Sequence, residues 1–535
     1  MNPHLGTEHL DLKAPIDVKK NAFLLCAIFL LVGLQSFANQ PIRNVVVILA
    51  DDHARKVAGC YGNELIRTPN MDRLASEGVL FDWAYCNAPM CSASRASLLT
   101  GKYPHTTVAN LLFTPFDDSK NTTIAEQLRM QGFKTALFGK NHNNAWTWGE
   151  LYKDGMPDYG FDVTIEGEQY QQYIKERGKR PVPDSIQTYS DKTDVHNTQC
   201  LPHAYYDADA PGTFYANEAA RFISENKEKP FFVWYASNEP HSPYAFPIEY
   251  NGKYNPADML LPAGSDEDDR WIPEQFSHLT NQGRKGIIAA YYTSVEFMDK
   301  NTGIVLDAIT KNGLDNSTLI IYISDNGYLL NDHKRFEKHS MWDEAIHQPL
   351  IIKAGNNYKK GVRNSALVEY VDIVPTILDI VNKKPIKEVQ GTSLLPVLNG
   401  KKSEIKKFVY SFYLEDNFAM VADKRWKYIF HTGARDLGIG YATGKGAAGI
   451  THFLYDLEND PAETTNLAAK AEYKEVFNQM RSQLLHHFEQ KHPNGKEAPS
   501  NLTDDGKLMW FCEPRDIGAM PSLNIAPIRV FYPNN

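Results

Sequence analysis

The sequence predicts an α/β fold: a large, mostly parallel central sheet flanked by helices, with a smaller C-terminal α+β subdomain of antiparallel sheet plus helix. Three observations carry this. Four short apolar, β-branched or aromatic runs recur along the chain, and each ends in polar residues. Continuous apolar runs of this length mark strands buried on both faces. Between them lie segments with helical spacing, and strand alternating with helix is the pattern of a parallel sheet. Beyond about residue 405 the runs show partial alternation instead, as antiparallel strands do.

The elements follow in order. At the N-terminus, Lys19 and Lys20 precede an apolar run from Ala22 to about Leu34, then Ser36-Phe37-Ala38. A basic stretch, a short apolar stretch and a small-x-small site predict a signal peptide over residues 1–38, cleaved after Ala38. The run is short for a membrane span, so export to the periplasm or beyond is expected, without stable membrane insertion. "NVVVILADDH" is the first strand, running into Asp51 and Asp52. "NMDRLASEGV" follows Thr68-Pro69-Asn70, a helix-start signal. "SASRASLLTG" reads as a helix with Cys91 at its mouth and Gly101 at its end. "NTTIAEQLRMQG" opens on a capping threonine and closes on Gly132.

"FKTALFGKNH" runs into Lys140 and His142, "PFFVWYASNEPH" into His241, and "TLIIYISDNG" into Asp325 and Asn326. "YYTSVEFMDKNTGIVLDAITKNG" repeats apolar residues at helical spacing up to Gly313. The catalytic α/β domain is set at 39–404 and the C-terminal subdomain at 405–535. In the latter, "FVYSFYLED", "FAMVADKRWKYIFH" and "HFLYDLEND" predict strands, and "AEYKEVFNQMRSQLLHHFEQKH" predicts one amphipathic helix. Residues 493–535 read as an irregular tail, and "ATGKGAAG" as a flexible loop without phosphate-loop spacing.

In parallel sheets the ligand crevice lies outside the carboxyl ends of the strands. All four polar clusters fall there, which argues for one site. Asp51, Asp52, Asp325 and Asn326 supply hard oxygen ligands, suited to calcium or magnesium rather than zinc. Either pair alone is equally a turn former; the two together point to a metal. Lys140, His142, His241, Lys338 and Arg95 are cations able to surround a tetrahedral anion. A helix N-terminus attracts anions and lowers a thiol pKa, which also admits cysteine nucleophile chemistry at Cys91. A cysteine phosphatase loop would want backbone-donating glycines between Cys91 and Arg95, and there are none. The formal net charge of -9 argues mildly against nucleic acid as the main partner. Of six cysteines, Cys26 leaves with the signal, and an odd number remains.

Cys91-Ser92-Ala93-Ser94-Arg95, with Leu99-Thr100-Gly101-Lys102, resembles the signature of the type I, formylglycine-dependent sulfatases of the alkaline phosphatase superfamily. "ILADD", "TPNMDRLASEGVLFDWAY", "GKNH", "PHSPY", "SDNG", "VDIVPTIL", "QGTSLLPVLNG" and "LYDLENDPAETTNLA" are similar to further landmarks of that family, from about residue 43 to 468. Ala93 stands where the usual pattern has proline. "DDHARK" departs from the frequent D-D-x-G, and Asn143-Asn144 from the frequent Leu-Gly.

The resemblance implies a calcium-dependent sulfatase. Asp51, Asp52, Asp325 and Asn326 would hold one calcium ion, with residue 91 as a further ligand. A maturase would convert Cys91 to formylglycine (3-oxoalanine). The hydrated aldehyde would attack sulfur and later expel sulfate by collapsing back, a step plain serine or cysteine cannot perform. Arg95 would hold the nucleophile, Lys140 and Lys338 would neutralise charge on the sulfate, and His142 would take a proton from residue 91. His241 is the expected general acid, with Lys338 as its rival.

A sulfated saccharide is the expected substrate. Asn143, Trp146 and Trp148 after the GKNH strand, with His105 and His339, are candidates for its binding. Two alternatives remain: a phosphonate or phosphate ester hydrolase of the same superfamily, and a non-catalytic sulfoglycan-binding protein.

Overall fold

In the computed structural model the described residues are 41–107, 109, 116, 119–142, 158–178, 180–181, 205–244, 246–270, 272–355, 358–414, 417–432 and 449–512. The expected signal peptide, Asn143, Trp146, Trp148 and most of the glycine-rich loop lie outside them.

Strands β1 (Asn44–Asp51), β2 (Val79–Tyr85), β3 (Lys134–Gly139), β4 (Val163–Ile165), β5 (Phe231–Pro240) and β6 (Thr318–Ser324) belong to the main sheet. β7 (Leu329–Leu330) and β8 (Phe336–Glu337) form a small antiparallel ladder of their own. β9 (His347–Ala354) and β10 (Val362–Glu369) complete the main sheet. Its eight strands run in the order β10-β2-β9-β6-β1-β5-β3-β4. Only β9 is antiparallel to its neighbours β6 and β2.

The four strands legible as apolar runs are β6, β1, β5 and β3, side by side at the centre. All of Val45, Val46, Val47, Ile48 and Leu49 on β1 are buried. Each such side chain contributes about 1.5–3 kcal/mol on leaving water. This is why β1 reads as an unbroken apolar run: both of its faces are covered.

Helices α1 (Pro69–Glu77), α2 (Cys91–Thr100), α3 (Ile124–Met130), α4 (Pro211–Glu225), α5 (Asn281–Lys311) and α6 (Ile373–Ile380) accompany this sheet. The caps are those the sequence announces. Thr123 and Glu126 form a reciprocal capping box on α3. α2 stops at Gly101, whose φ of 69° is a left-handed C-cap. α5 starts ten residues before the apolar repeat that predicted it, at the Thr280 cap.

The second sheet is antiparallel: β11 (Val409–Tyr413), β12 (Phe418–Ala422), β13 (Trp426–His431) and β14 (Thr451–Asp456), in that order. α7 (Lys474–Lys491) covers it through Met480, Leu484 and Phe488. The tail expected to be irregular instead carries α8 (Asp504–Cys512). Leu508, Phe511 and Cys512 are buried there, and Phe511 stacks on Phe488 at 5.0 Å. Short helices that owe their stability to packing leave a weak local signal.

The chain from Ile42 onward forms one compact unit. The second sheet is tied to the first part by buried ion pairs. Lys427 on β13 sits 2.6 Å from both Asp343 and Glu463. Lys406 sits 2.6 Å from both Glu369 and Asp372.

Candidate active site

Each central strand ends by delivering a side chain. Asp51 closes β1 and Asp52 follows it; Asp325 follows β6, Lys140 follows β3, and His241 comes directly after Pro240 of β5. Adjacent strands are about 4.8 Å apart, so four neighbouring ends span only about 14 Å. The adjacency of β6, β1, β5 and β3 therefore brings together residues nearly 300 positions apart in sequence.

Local backbone completes the placement. Asp52 has φ of 65°; Tyr291 of α5 accepts from Ala54 N (2.7 Å) and donates to Asp52 O (2.5 Å), holding that turn. Gly139 has φ of 99°, and a Cβ there would lie 2.0 Å from Ala236 O, so only glycine lets β3 turn out into Lys140.

α2 points its N-terminus into this cluster, with Cys91 as first residue. Cys91 Sγ is 2.7 Å from Lys338 Nζ and 3.4 Å from Asp51 Oδ1. Lys338 Nζ is also 2.5 Å from Asp52 Oδ1. Lys140 Nζ bonds Asp51 Oδ2. Arg95, one turn into α2, gives Nε to Asp325 Oδ2 (2.8 Å) and Nη1 to Lys140 O (2.6 Å). Ser94 Oγ donates to Asp325 O. Asp325 Oδ1 accepts from the backbone of Asp52 (3.0 Å) and Asn326 (2.8 Å). His241 donates Nδ1–H to Ser242 O (2.5 Å), which leaves Nε2 facing Asp52 Oδ2 at 3.6 Å. A carbonyl can only accept, so this contact fixes the tautomer.

Electrostatics follow from burial and charge. Burial alone would favour neutral Asp51, but Lys140, His241 and Arg95 hold it well below the usual carboxylate range. Burial disfavours charged Lys338, yet Asp52, Cys91 and Asp51 push its value well above normal. His142 is driven well below an ordinary histidine by burial, then by Lys140 and Arg95, and so is neutral. Burial also lowers His241, against the pull of Asp52 and Asp51. The thiol of Cys91 is raised well above normal, by burial first and Asp325 second. This corrects the expectation from the helix mouth: the α2 N-terminus does not make Cys91 a thiolate.

The three carboxylates Asp51, Asp52 and Asp325 are matched by three cations, Arg95, Lys140 and Lys338. A divalent metal would leave such a site with an excess of two positive charges, suited to binding an anion. The residues fit a metal: Asn326 donates through Nδ2 to Asp52 (2.7 Å), while its buried Oδ1 accepts no hydrogen bond among the described residues. Ligand atoms of Asp51, Asp52, Cys91 and His241 lie within 4.8 Å of one another.

Two candidate substrate residues are buried. His105 is not at a rim: it is buried against the C-terminal helix, stacked on Tyr103 (5.6 Å) and on His492 (5.0 Å). His339 is buried and turned towards Tyr413 at 5.5 Å. His53, the departure in "DDHARK", points into the core, bonded to Tyr322 Oη and Val57 O at 2.9 Å each. Tyr291 and Ser94 support the site without having been singled out; a tyrosine in a helical apolar repeat and a serine among serines give no local signal.

Comparison with known proteins identifies the family. The family described as Sulfatase matches residues 43–383, and N-sulphoglucosamine sulphohydrolase, C-terminal, matches residues 331–490. The chain belongs to the sulfatase family. It is thereby a sulfuric ester hydrolase, of a family that generally acts through a formylglycine and a divalent metal. An arylsulfatase of Clostridium perfringens is 28% identical, covering 87% of this chain and 97% of its own. An N-acetylglucosamine-6-O-sulfatase of Bacteroides thetaiotaomicron is 25% identical, covering 85% and 88%. Among solved structures, the phosphonate monoester hydrolase of Agrobacterium radiobacter has a TM-score of 0.70 at 23% identity, covering 86% of this chain and 97% of its own. That likeness is one of fold.

Proposed function

We propose that this protein is an exported, calcium-dependent sulfatase that removes sulfate from a sulfated carbohydrate, with residue 91 matured from cysteine to formylglycine. The observation that carries the proposal is the convergence of Asp51, Asp52, Asp325 and Asn326 with Arg95, Lys140, Lys338 and His241 around the first residue of α2. In this reading residues 1–38 are the cleaved signal, 39–404 the catalytic domain and 405–535 the C-terminal subdomain. Among the described residues no helix is long and apolar enough to cross a membrane.

Asp51, Asp52, Asp325, Asn326 and residue 91 would hold the calcium, which supplies Lewis-acid polarisation of the sulfate. Formylglycine supplies a nucleophilic hydrate and a route for releasing sulfate. The chain's own side chains do the rest. Arg95 orients residue 91, locked between Asp325 and the Lys140 carbonyl. Lys140 and Lys338 counter charge on the sulfate oxygens. Neutral His142 takes a proton from residue 91. His241, with its ring fixed by Ser242 O, gives a proton from Nε2 to the departing oxygen in its doubly protonated form, which the charges of Asp52 and Asp51 favour against burial. Relatives named N-acetylglucosamine-6-O-sulfatase and "Ulvan-active sulfatase" support a glycan substrate.

The test is a panel of defined sulfated mono- and disaccharides, beside phosphonate and phosphate esters of one common leaving group. The protein used has its residue 91 conversion confirmed by mass spectrometry. Turnover of sulfated saccharides is expected. Preference for the phosphorus esters would overturn the reading in favour of a phosphonate hydrolase, and binding without turnover in favour of a sulfoglycan-binding protein.

A further inference from the structure

Lys338 reaches the site on an unusual piece of backbone. Between Asn331 and His339 five non-glycine residues have left-handed φ: Asn331 (70°), His333 (50°), Lys334 (57°), Glu337 (91°) and His339 (43°). Asparagine and, less often, histidine tolerate this region; lysine and glutamate enter it against their local preference. Such a segment persists only where its surroundings over-determine it.

The surroundings here are specific. Arg284, in the first turn of α5, donates Nη1 to Asn331 Oδ1 (2.6 Å) and to Lys334 O (2.9 Å). Its Nη2 donates to Phe276 O (2.7 Å) and its Nε to Leu279 O (3.2 Å). All four acceptors are neutral oxygens, and burial lowers the guanidinium's value below normal. A cation placed among carbonyls with no carboxylate partner among the described residues is costly as a surface ornament, but effective as a hub. His333 is bonded through Nδ1 to Asp268 (2.8 Å) and lies flat on Trp342, ring centres 4.0 Å apart. Lys56 pairs with Asp332, and Lys334 with Asp269 at 2.7 Å. These clamps act on the strap, and Lys338 of the strap makes the contacts at Cys91 and Asp52.

We infer that Arg284 and the His333–Asp268 pair are positioning residues for the sulfatase reaction. They hold the 331–339 strap in its left-handed course, and so keep Lys338 Nζ at residue 91 and Asp52. This rests on the assignment of Lys338 to the sulfate site. The cost of failure is geometric: a lysine displaced by about 1 Å loses about 10²-fold in rate.

The experiment is a kinetic cycle on the full chain with Arg284→Gln and Lys338→Met, separately and together. Rates are measured on an aryl sulfate under single-turnover conditions with enzyme in excess. Arg284→Gln is expected to lower the single-turnover rate constant about 10²-fold with the half-saturating enzyme concentration changed far less, and Arg284→Lys to recover part of the loss. In the Lys338→Met background the same change is expected to cost less than about 3-fold, because the group it positions is gone. Equal loss in both backgrounds, or no loss in either, overturns the inference and leaves Arg284 a structural residue. Full activity of Lys338→Met instead overturns the assignment of Lys338 itself. Should Arg284→Gln fail to fold, Asp268→Ala, which removes the acceptor for His333, is carried through the same cycle and judged by the same two outcomes.

Discussion

Asp299 of α5 illustrates how the fold sets a measurable pH dependence away from the site. It is buried, and its carboxylate accepts from the backbone of Asn70 (3.0 Å) and Met71 (2.8 Å) at the start of α1. Asn70 Nδ2 adds a third bond at 3.0 Å. Burial nevertheless outweighs these donors and pushes its pKa up to about 6. An unfolded aspartate titrates near about 3.9. A carboxyl raised in the folded state binds its proton more tightly there. Its stabilisation is fully present below about pH 3.9 and is lost as pH rises through about 6. Two units at 1.36 kcal/mol each make this about 3 kcal/mol.

Asp299→Asn removes the ionisation but turns an amide towards the Asn70 donors, at about 1–3 kcal/mol independent of pH. The difference in stability between parent and variant is therefore expected to shift by about 2 kcal/mol between pH 4 and pH 7, favouring the parent in acid. Urea unfolding of both proteins across that range at fixed ionic strength measures it, since other titrating groups cancel in the difference. A difference that stays flat with pH would refute the argument from burial.

Other consequences are equally concrete. His241→Ala is expected to lose about 10²–10⁴-fold on substrates with a poor leaving group and far less on an activated aryl sulfate. Equal losses, read from a series of leaving groups, would remove His241 as the proton donor. Chelation of the purified protein is expected to abolish activity and lower the melting temperature, and added calcium to restore both. Asn326→Ala is expected to weaken that calcium response, measured by titrating the ion back. Lys427→Met leaves Asp343 and Glu463 buried without their shared cation, and is expected to cost about 3–5 kcal/mol. Adding Glu463→Gln is expected to recover part of it in urea melts.

The centre of this fold was legible because each central strand is covered on both faces, so its sequence is an unbroken apolar run with an abrupt polar end. The same abruptness marked Asp51, Asp52, Lys140, His241, Asp325 and Asn326, and the small-residue helix with its glycine stop marked Cys91 and Arg95. The edges were not legible. β9 enters the sheet against the direction of its neighbours, β4 is three residues long, and α8 is held by Phe488 rather than by its own propensity.

Residue type and spacing thus determined the α/β class and the polar strand ends, and short motifs carried the resemblance to the family, because these depend on short-range pattern. Tertiary structure decided the rest. It set the order that places β6, β1, β5 and β3 side by side, and it buried Cys91 deeply enough to keep its thiol protonated. It also took His105 away from any rim, and bent the strap that carries Lys338 through five left-handed residues. Those outcomes depend on desolvation and on partners hundreds of residues away, and no local stretch of sequence records either.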